Sequence, residues 1–295
     1  MLSKKIGIDL GSSTVLIYVK GEGIVINEPS LVGVDRLGML HKLIGRVHSR
    51  HWLFKPEIMI CVPSTETSAE RRAVTEAAIS AGARQVWLID KPLAAAFGAG
   101  LPISEPRGNA ICVAGARTTE IAVISRSGMV VAHSIPVGGK RIDDAIATHV
   151  KRRHNLLIEE STAERLKIDI GSAVSIAAPL VAEAEGHDLA SGLPRKAKVN
   201  SNDVAEAIEE PLRLIVEAVR FVLEQTPAEL AADILGRGIL LCGGGAQLRG
   251  LDRYLAMHTG IPATVADAPQ TSVVRGTGLA LENFEVLKRN QSYPR

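Results

Sequence analysis

The stretch "KIGIDLGSSTVLIYVKG", residues 5–21, decides the fold. Two aliphatic runs flank Gly11, Ser12, Ser13 and Thr14, the pattern of a strand, a tight turn and a second strand. Backbone N–H groups and small hydroxyls in such a turn wrap around phosphates, and Asp9 just ahead of it is placed to hold a hydrated Mg²⁺. Alone, the motif equally fits an ordinary hairpin with Gly11 at positive φ. An echo raises it above that. Sliding the chain against itself by 104 residues pairs Ile6–Gly11 with Ala110–Gly115, Thr14 with Thr118 and Val19 with Val123, all within "NAICVAGARTTEIAVIS", residues 109–125. The later copy carries Val113 where the earlier one carries Asp9.

One strand, turn and strand unit repeated at this distance predicts two similar lobes with a nucleotide between them, not a solenoid, whose period is much shorter. Strand-like runs "EIMICVP", "QVWLID" and "GILLCGG" alternate with helical patterns such as Ser68–Ala81, the rhythm of a doubly wound α/β protein. Residues 201–225 read as one core helix with a Ser/Asn cap and a kink at Pro211. Gly243, Gly244 and Gly245 follow "GILLC" and precede "AQLRGLDRYL". Glycines there let backbone approach a ligand at a helix N-terminus, and they also suit a plain strand-to-helix connection.

A chain of 295 residues that is 46% hydrophobic has enough apolar material for packed lobes, which excludes a disordered protein. No apolar run approaches the roughly 18 residues a membrane span requires, and the first residues lead straight into a strand, so a cytoplasmic protein without a cleavable signal is expected. Cys61, Cys112 and Cys242 sit singly in apolar runs without metal-ligand spacing and read as buried thiols. A net charge of +2 is too small to make nucleic acid a partner.

The segments "GIDLGSSTVLIYVKGEGIVINEPS", "CVPSTETSAERRAVTEAAISAGARQVWLID", "AAAFGAGLPISE", "VGGKRIDDAI", "STAERLKIDIGSA", "VNSNDVAEAIEEPL" and "ILLCGGGAQLRGLDRYLAMHTGIP" together resemble the MreB/Mbl family of bacterial actins over nearly the whole chain. The resemblance implies the actin-like ATPase fold. Lobe I would comprise 1–103 and 268–295, with a truncated outer domain at about 33–56. Lobe II would span 104–267, with an outer domain at about 171–200. ATP would lie in the cleft against Asp9, Gly11, Ser12, Ser13, Thr14, Gly115, Arg117, Thr118, Gly138, Gly139, Glu164, Lys167 and Gly243–Gly245. The resemblance further implies filaments with copies of itself or other family subunits, attachment to the inner face of the cytoplasmic membrane, and guidance of the cell-wall synthesis machinery.

The chain departs from the family at the chemistry. The family's second turn reads Asp-x-Gly-Gly-Gly-Thr-Thr, and here Val113-Ala-Gly-Ala-Arg-Thr-Thr119 retains only Gly115, Thr118 and Thr119. Losing that Asp leaves Asp9 as the sole metal carboxylate and puts Mg²⁺ in doubt, while Arg117 sets a permanent charge beside the phosphates. The family's water-orienting Glu is Lys91 in "DKPLAAA", leaving Thr119 as the other catalytic candidate; Asp90 should face away, since neighbours at a strand end point to opposite sides. Lys140 replaces a family Asp, so every change makes the cleft more positive. Nucleotide binding with slow or absent hydrolysis is expected, with complete loss of ATP binding as the alternative. Only residues 35–54 separate "NEPSLVGV" from "KPEIMICVP", where the family is longer, so filament contacts through that outer domain are in question.

Between Asp35 and Glu57 every charge is basic, among them Lys42, Arg46, Arg50 and Lys55, interspersed with His41, His48 and His51. Trp52, Leu53 and Phe54 lie inside this patch, at the loop where the family inserts a hydrophobic pair into the bilayer. Apolar side chains among cations make a two-part membrane anchor, or else a loop packed before the next strand. A catalytically quiet regulator of other filaments and a small-molecule kinase share the fold, although no general-base Asp for a kinase is found.

Overall fold

The structure, a computed structural model, describes residues 3–30, 36–48 and 55–283. The chain opens with an antiparallel meander of β1 (Lys5–Leu10), β2 (Thr14–Val19) and β3 (Gly23–Pro29), followed by α1 (Arg36–His48). Then come β4 (Glu57–Val62), α2 (Ser68–Ser80), β5 (Gln85–Asp90) and α3 (Lys91–Gly98). β4 pairs parallel with both β1 and β5, giving a sheet ordered β3-β2-β1-β4-β5. Thr67 starts α2 with a capping box, its side chain accepting from the Glu70 N–H while the Glu70 carboxylate accepts from the Thr67 N–H. Pro92 sits in the first turn of α3, where its missing N–H costs nothing.

The second lobe repeats the plan. A meander of β6 (Asn109–Ala114), β7 (Thr119–Ser125) and β8 (Gly128–Ile135) is completed much later by β12 (Ile239–Cys242) and β13 (Ala263–Val265), in the order β13-β12-β6-β7-β8. Pairing confirms the duplication residue by residue. Ile6 faces Val19 and Asp9 faces Leu16 across β1 and β2, while Ala110 faces Val123 and Val113 faces Glu120 across β6 and β7, every position displaced by 104.

Both sheets are covered on both faces, which is why β4 and β6 read as continuous apolar runs and not as alternation. Between the sheets lie α3 and α10 (Ser272–Glu282), sharing a core that includes Met59, Cys61, Leu93, Val113, Ala122 and Ile124. The two helices touch through backbone. A Cβ at Gly98 would fall 1.8 Å from the Ser272 carbonyl oxygen, and one at Gly276 would fall 1.7 Å from that of Ala94. α10 also packs on β1, β2 and β4 of the first sheet.

The lobes differ in their insertions. The second carries α4 (Gly139–His154), β9 (Leu156–Ile158), α5 (Glu160–Ile170), β10 (Val181–Asp188), β11 (Pro194–Asn200) and α6 (Ser201–Ala207), with a small sheet ordered β11-β10-β9. In the first, the described residues between β3 and β4 form α1 alone, and Met39, Leu40, Leu43 and Ile44 enter the inner core beside Ile58, Ile60, Val74 and Ala78. Of the span expected as a truncated outer domain, about 33–56, the described helix packs as a layer on the inner core, drawn in by its apolar stripe.

The single kinked helix expected over 201–225 is instead two, α6 and α7 (Glu209–Glu224), broken at Ile208. Pro211 has no N–H to donate to the Ala207 carbonyl, so a new helix begins with the proline in its first turn. The cap also lies one residue earlier than expected, at Asn200, whose side chain accepts from Asn202 and Asp203. α8 (Ala228–Arg237) and α9 (Leu251–Thr259) complete the second lobe.

Candidate nucleotide cleft

Four strand ends carry the candidate residues: the Gly11 turn follows β1, Ser64 follows β4, the Gly115 turn follows β6 and Gly243 follows β12. β1 runs parallel to β4, and β6 to β12, so these are C-terminal edges of parallel strands, where open α/β sheets bind ligands.

In the first turn Ser12, Ser13 and Thr14 are exposed. Gly11 is required by close approach and not by positive φ, since a Cβ there would meet the Thr14 carbonyl oxygen at 2.5 Å. Ser30 ties the turn from below, donating its hydroxyl to the Gly11 carbonyl at 2.6 Å and its N–H to that of Ser13 at 2.8 Å. Asp9 is buried at 7% exposure, and the Cys61 thiol donates to its Oδ1 at 3.0 Å.

The second turn is closed by the Gly115 N–H on the Thr118 carbonyl at 2.8 Å. The start of α4 is fastened onto it by Gly139 N–H to Gly115 O at 3.0 Å and Lys140 N–H to Ala116 O at 2.8 Å. Gly138 is needed for that seat, as a Cβ would lie 2.6 Å from the Gly115 oxygen. Thr119, a catalytic candidate from sequence, is fully buried, and its hydroxyl donates to the Val137 carbonyl at 2.8 Å. Arg117 is exposed at the turn's crest.

Lys140 is not the unopposed cation expected. Its ammonium lies 2.6 Å from Glu160, which raises the Lys140 pKa and lowers that of Glu160. Lys167 reaches Asp143 at 2.8 Å and the Gly139 carbonyl at 3.5 Å, so it lies against the second turn. Burial pushes the Asp143 carboxyl up, and Lys167 opposes that shift. Glu164 is exposed one helical turn before Lys167.

The three glycines divide their work. Gly243, at φ 84°, and Gly245 pack on Ala114, where Cβ atoms would come within 2.3 Å and 2.9 Å of its atoms. Gly244 is exposed, and a Cβ on it would meet nothing within 4 Å, leaving it the glycine that borders open space. No α-helix starts at this triplet: Gly244–Gln247 form a 3-10 turn, and α9 begins at Leu251 behind the left-handed Gly250. The turn therefore offers backbone approach without a full helix terminus.

Lys91 opens α3 at the cleft end of β5, and Asp90 is turned away into an ion pair with Arg71 of α2, as the alternation rule requires. Sequence reading missed Ser30, Cys61, Ser64 and Glu120. Glu120 is fully buried on β7, and its Oε2 accepts from both the N–H and the hydroxyl of Ser64 at 2.9 Å and 3.0 Å, joining the lobes. Its signal was present as the one charged residue of a buried strand that continues Ile-Ala-Val-Ile. Among the described residues no three His, Cys, Asp or Glu side chains gather as a metal cluster. Trp52, Leu53 and Phe54 lie outside the described residues; on the adjoining α1, His41 and Lys42 are exposed, and Arg46 pairs with both oxygens of Glu28 at 2.7 Å and 2.6 Å. No described helix is long and apolar enough to cross a membrane.

Two lobes of one duplicated topology, meeting at glycine turns on the C-terminal edges of their parallel strands, define an actin-like fold with a nucleotide-type cleft. The family model described as MreB/Mbl protein matches residues 3–38 and 36–289, and the chain belongs to this family. It is 44% identical over 331 positions to the cell shape-determining protein MreB of Escherichia coli K12, covering 97% of this chain and 95% of that one. Identity to the cell shape-determining protein Mbl of Bacillus subtilis 168 is 38%, covering 99% of each. MreB5 of Spiroplasma citri bound to AMPPNP superposes with a TM-score of 0.90 at 30% identity, over 98% of this chain and 99% of that one. The family match falls in two segments that meet at residues 36–38, the start of α1. An alignment of 331 positions on 295 residues leaves at least 36 positions (331 minus 295) without a residue here.

Proposed function

We propose that this chain is a cell-shape cytoskeletal protein that binds ATP between its lobes, lies on the inner face of the cytoplasmic membrane, forms or modulates family filaments that guide cell-wall synthesis, and hydrolyses ATP weakly or not at all. The observation that carries the reading is the duplicated pair of glycine turns, each held in shape by its own lobe and opening on one cleft. Likeness to a relative solved with AMPPNP supports the nucleotide. Asp9, the exposed hydroxyls of Ser12 to Thr14, Arg117, Thr118 and Gly244 are the groups offered to the phosphates, Lys167 backs the second turn, and Glu164 is assigned to the adenosine side by the family resemblance.

Weak hydrolysis follows from Lys91. A charged ammonium cannot accept a proton from water, and losing a positioned base costs on the order of 10² to 10⁴ in rate. The specific observation favouring a second reading, a regulator that does not polymerise alone, is the first lobe's shortened insertion, where the described residues hold only α1.

The deciding experiment is calorimetric titration of the purified protein with ATP, with phosphate release measured alongside. Micromolar affinity with negligible turnover is expected. Absence of affinity would leave a scaffold acting through protein and membrane contacts, and rapid turnover would remove the role given to Lys91.

A further inference from the structure

We propose that Glu120 is the second carboxylate of the cleft floor and that, together with Asp9, it takes a hydrated divalent cation bound with the nucleotide phosphates; this rests on the nucleotide reading above.

The second lobe has not simply lost its acid. In the first lobe Asp9 on β1 faces Leu16 on β2, and in the second Val113 on β6 faces Glu120 on β7, at the corresponding positions of the same register. Residues directly opposed on antiparallel strands project from the same face of a sheet. The carboxylate therefore occupies the neighbouring strand without changing face. Ala122, two residues along β7 and so on that face, belongs to the core between the sheets, as do Met59 and Cys61.

Both carboxylates bear on one short piece of the first lobe. The Cys61 thiol donates to Asp9, and three residues later Ser64 donates twice to Glu120. Those two bonds satisfy Oε2 only. Oε1 is enclosed and has no hydrogen-bond partner. An ionised carboxylate removed from water is unfavourable unless its charge is answered, so the bare oxygen calls for a proton, a water or a cation. A cation bound with phosphates suits it best. Mg²⁺ keeps several waters and is held through one or two carboxylates plus phosphate oxygens, so two acids suffice and no cluster of three is needed.

Glu120→Gln removes the charge and keeps an oxygen for Ser64. Ser64→Ala weakens the join and keeps the charge. Each is titrated calorimetrically with AMPPNP in Mg²⁺ and in EDTA. Wild type and Ser64→Ala are expected to gain about tenfold or more in affinity from Mg²⁺, and Glu120→Gln to lose most of that gain while its affinity in EDTA is kept, the scale seen for groups that orient metal ligands. A wild type indifferent to Mg²⁺, or a Glu120→Gln protein that keeps the full gain, overturns the proposal. Should Glu120→Gln not fold, Glu120→Asp replaces it, with partial loss expected and full retention overturning the idea. No nucleotide affinity in wild type sinks the cleft reading itself, whereas affinity without Mg²⁺ dependence sinks only the role of Glu120.

Discussion

Lys91 concentrates the chemical question in one side chain. It begins α3 at the end of β5, and its neighbour Asp90 is committed to Arg71, so neither position supplies a free base. Replacing Lys91 by Glu should raise phosphate release by about 10- to 100-fold, short of the 10² to 10⁴ that a well-positioned base contributes, because Ala116 and Arg117 still alter the second turn. A coupled phosphate assay on the Lys91→Glu protein measures this, and an unchanged rate would mean that position 91 does not limit turnover. Other residues show where sequence stops. Identity alone gave Lys140 a positive sign in the cleft, but its charge is shared with Glu160, a partner on another helix that no local spacing reveals. The hydroxyl of Thr119, a chemical candidate by its place in a motif, also donates to the Val137 carbonyl after β8, a partner no local pattern announces.

At the scale of elements, the α/β rhythm and the duplication were legible because aliphatic runs and glycine turns recur at a fixed offset, and pairing follows that offset residue by residue. Breaks inside helices were less so: Pro211 announced a disturbance but not that a new helix would start before it. The contact of α3 with α10 was not read at all, since it depends on the crossing of two helices far apart in the chain. It yields a sharp expectation. A methyl at Gly276 would lie 1.7 Å from the Ala94 oxygen and 2.6 Å from the Gly98 N, both backbone atoms that cannot rotate aside. Gly276→Ala should therefore cost about 3 kcal/mol or more, the upper end of overpacking penalties. A denaturant midpoint equal to that of wild type would show that the helices slide apart cheaply. Gly244→Ala meets nothing within 4 Å and should fold normally, confining any effect to nucleotide affinity.

Over the whole molecule, the two lobes have kept one inner plan and diverged in what they add to it. The second lobe retains a helix-and-sheet insertion, whereas in the first α1 turns its apolar stripe inward and exposes His41 and Lys42 on the opposite side. In the sequence the proposed anchor, Trp52, Leu53 and Phe54, follows α1 and is flanked by Arg50 and Lys55. Each cation near an anionic surface contributes about 1 kcal/mol, so one helix face and a few flanking charges attract the molecule only weakly. Apolar insertion must supply the rest. Replacing Trp52, Leu53 and Phe54 together by Ala should abolish flotation with vesicles containing anionic lipid, while Lys42→Ala should reduce it by a few-fold, an effect that raised salt would mimic. Equal flotation of the triple variant and wild type would move the membrane contact elsewhere on the molecule. Loss of flotation with nucleotide affinity intact would show that membrane attachment and the cleft are separable, as expected if the anchor takes no part in holding the phosphate turns.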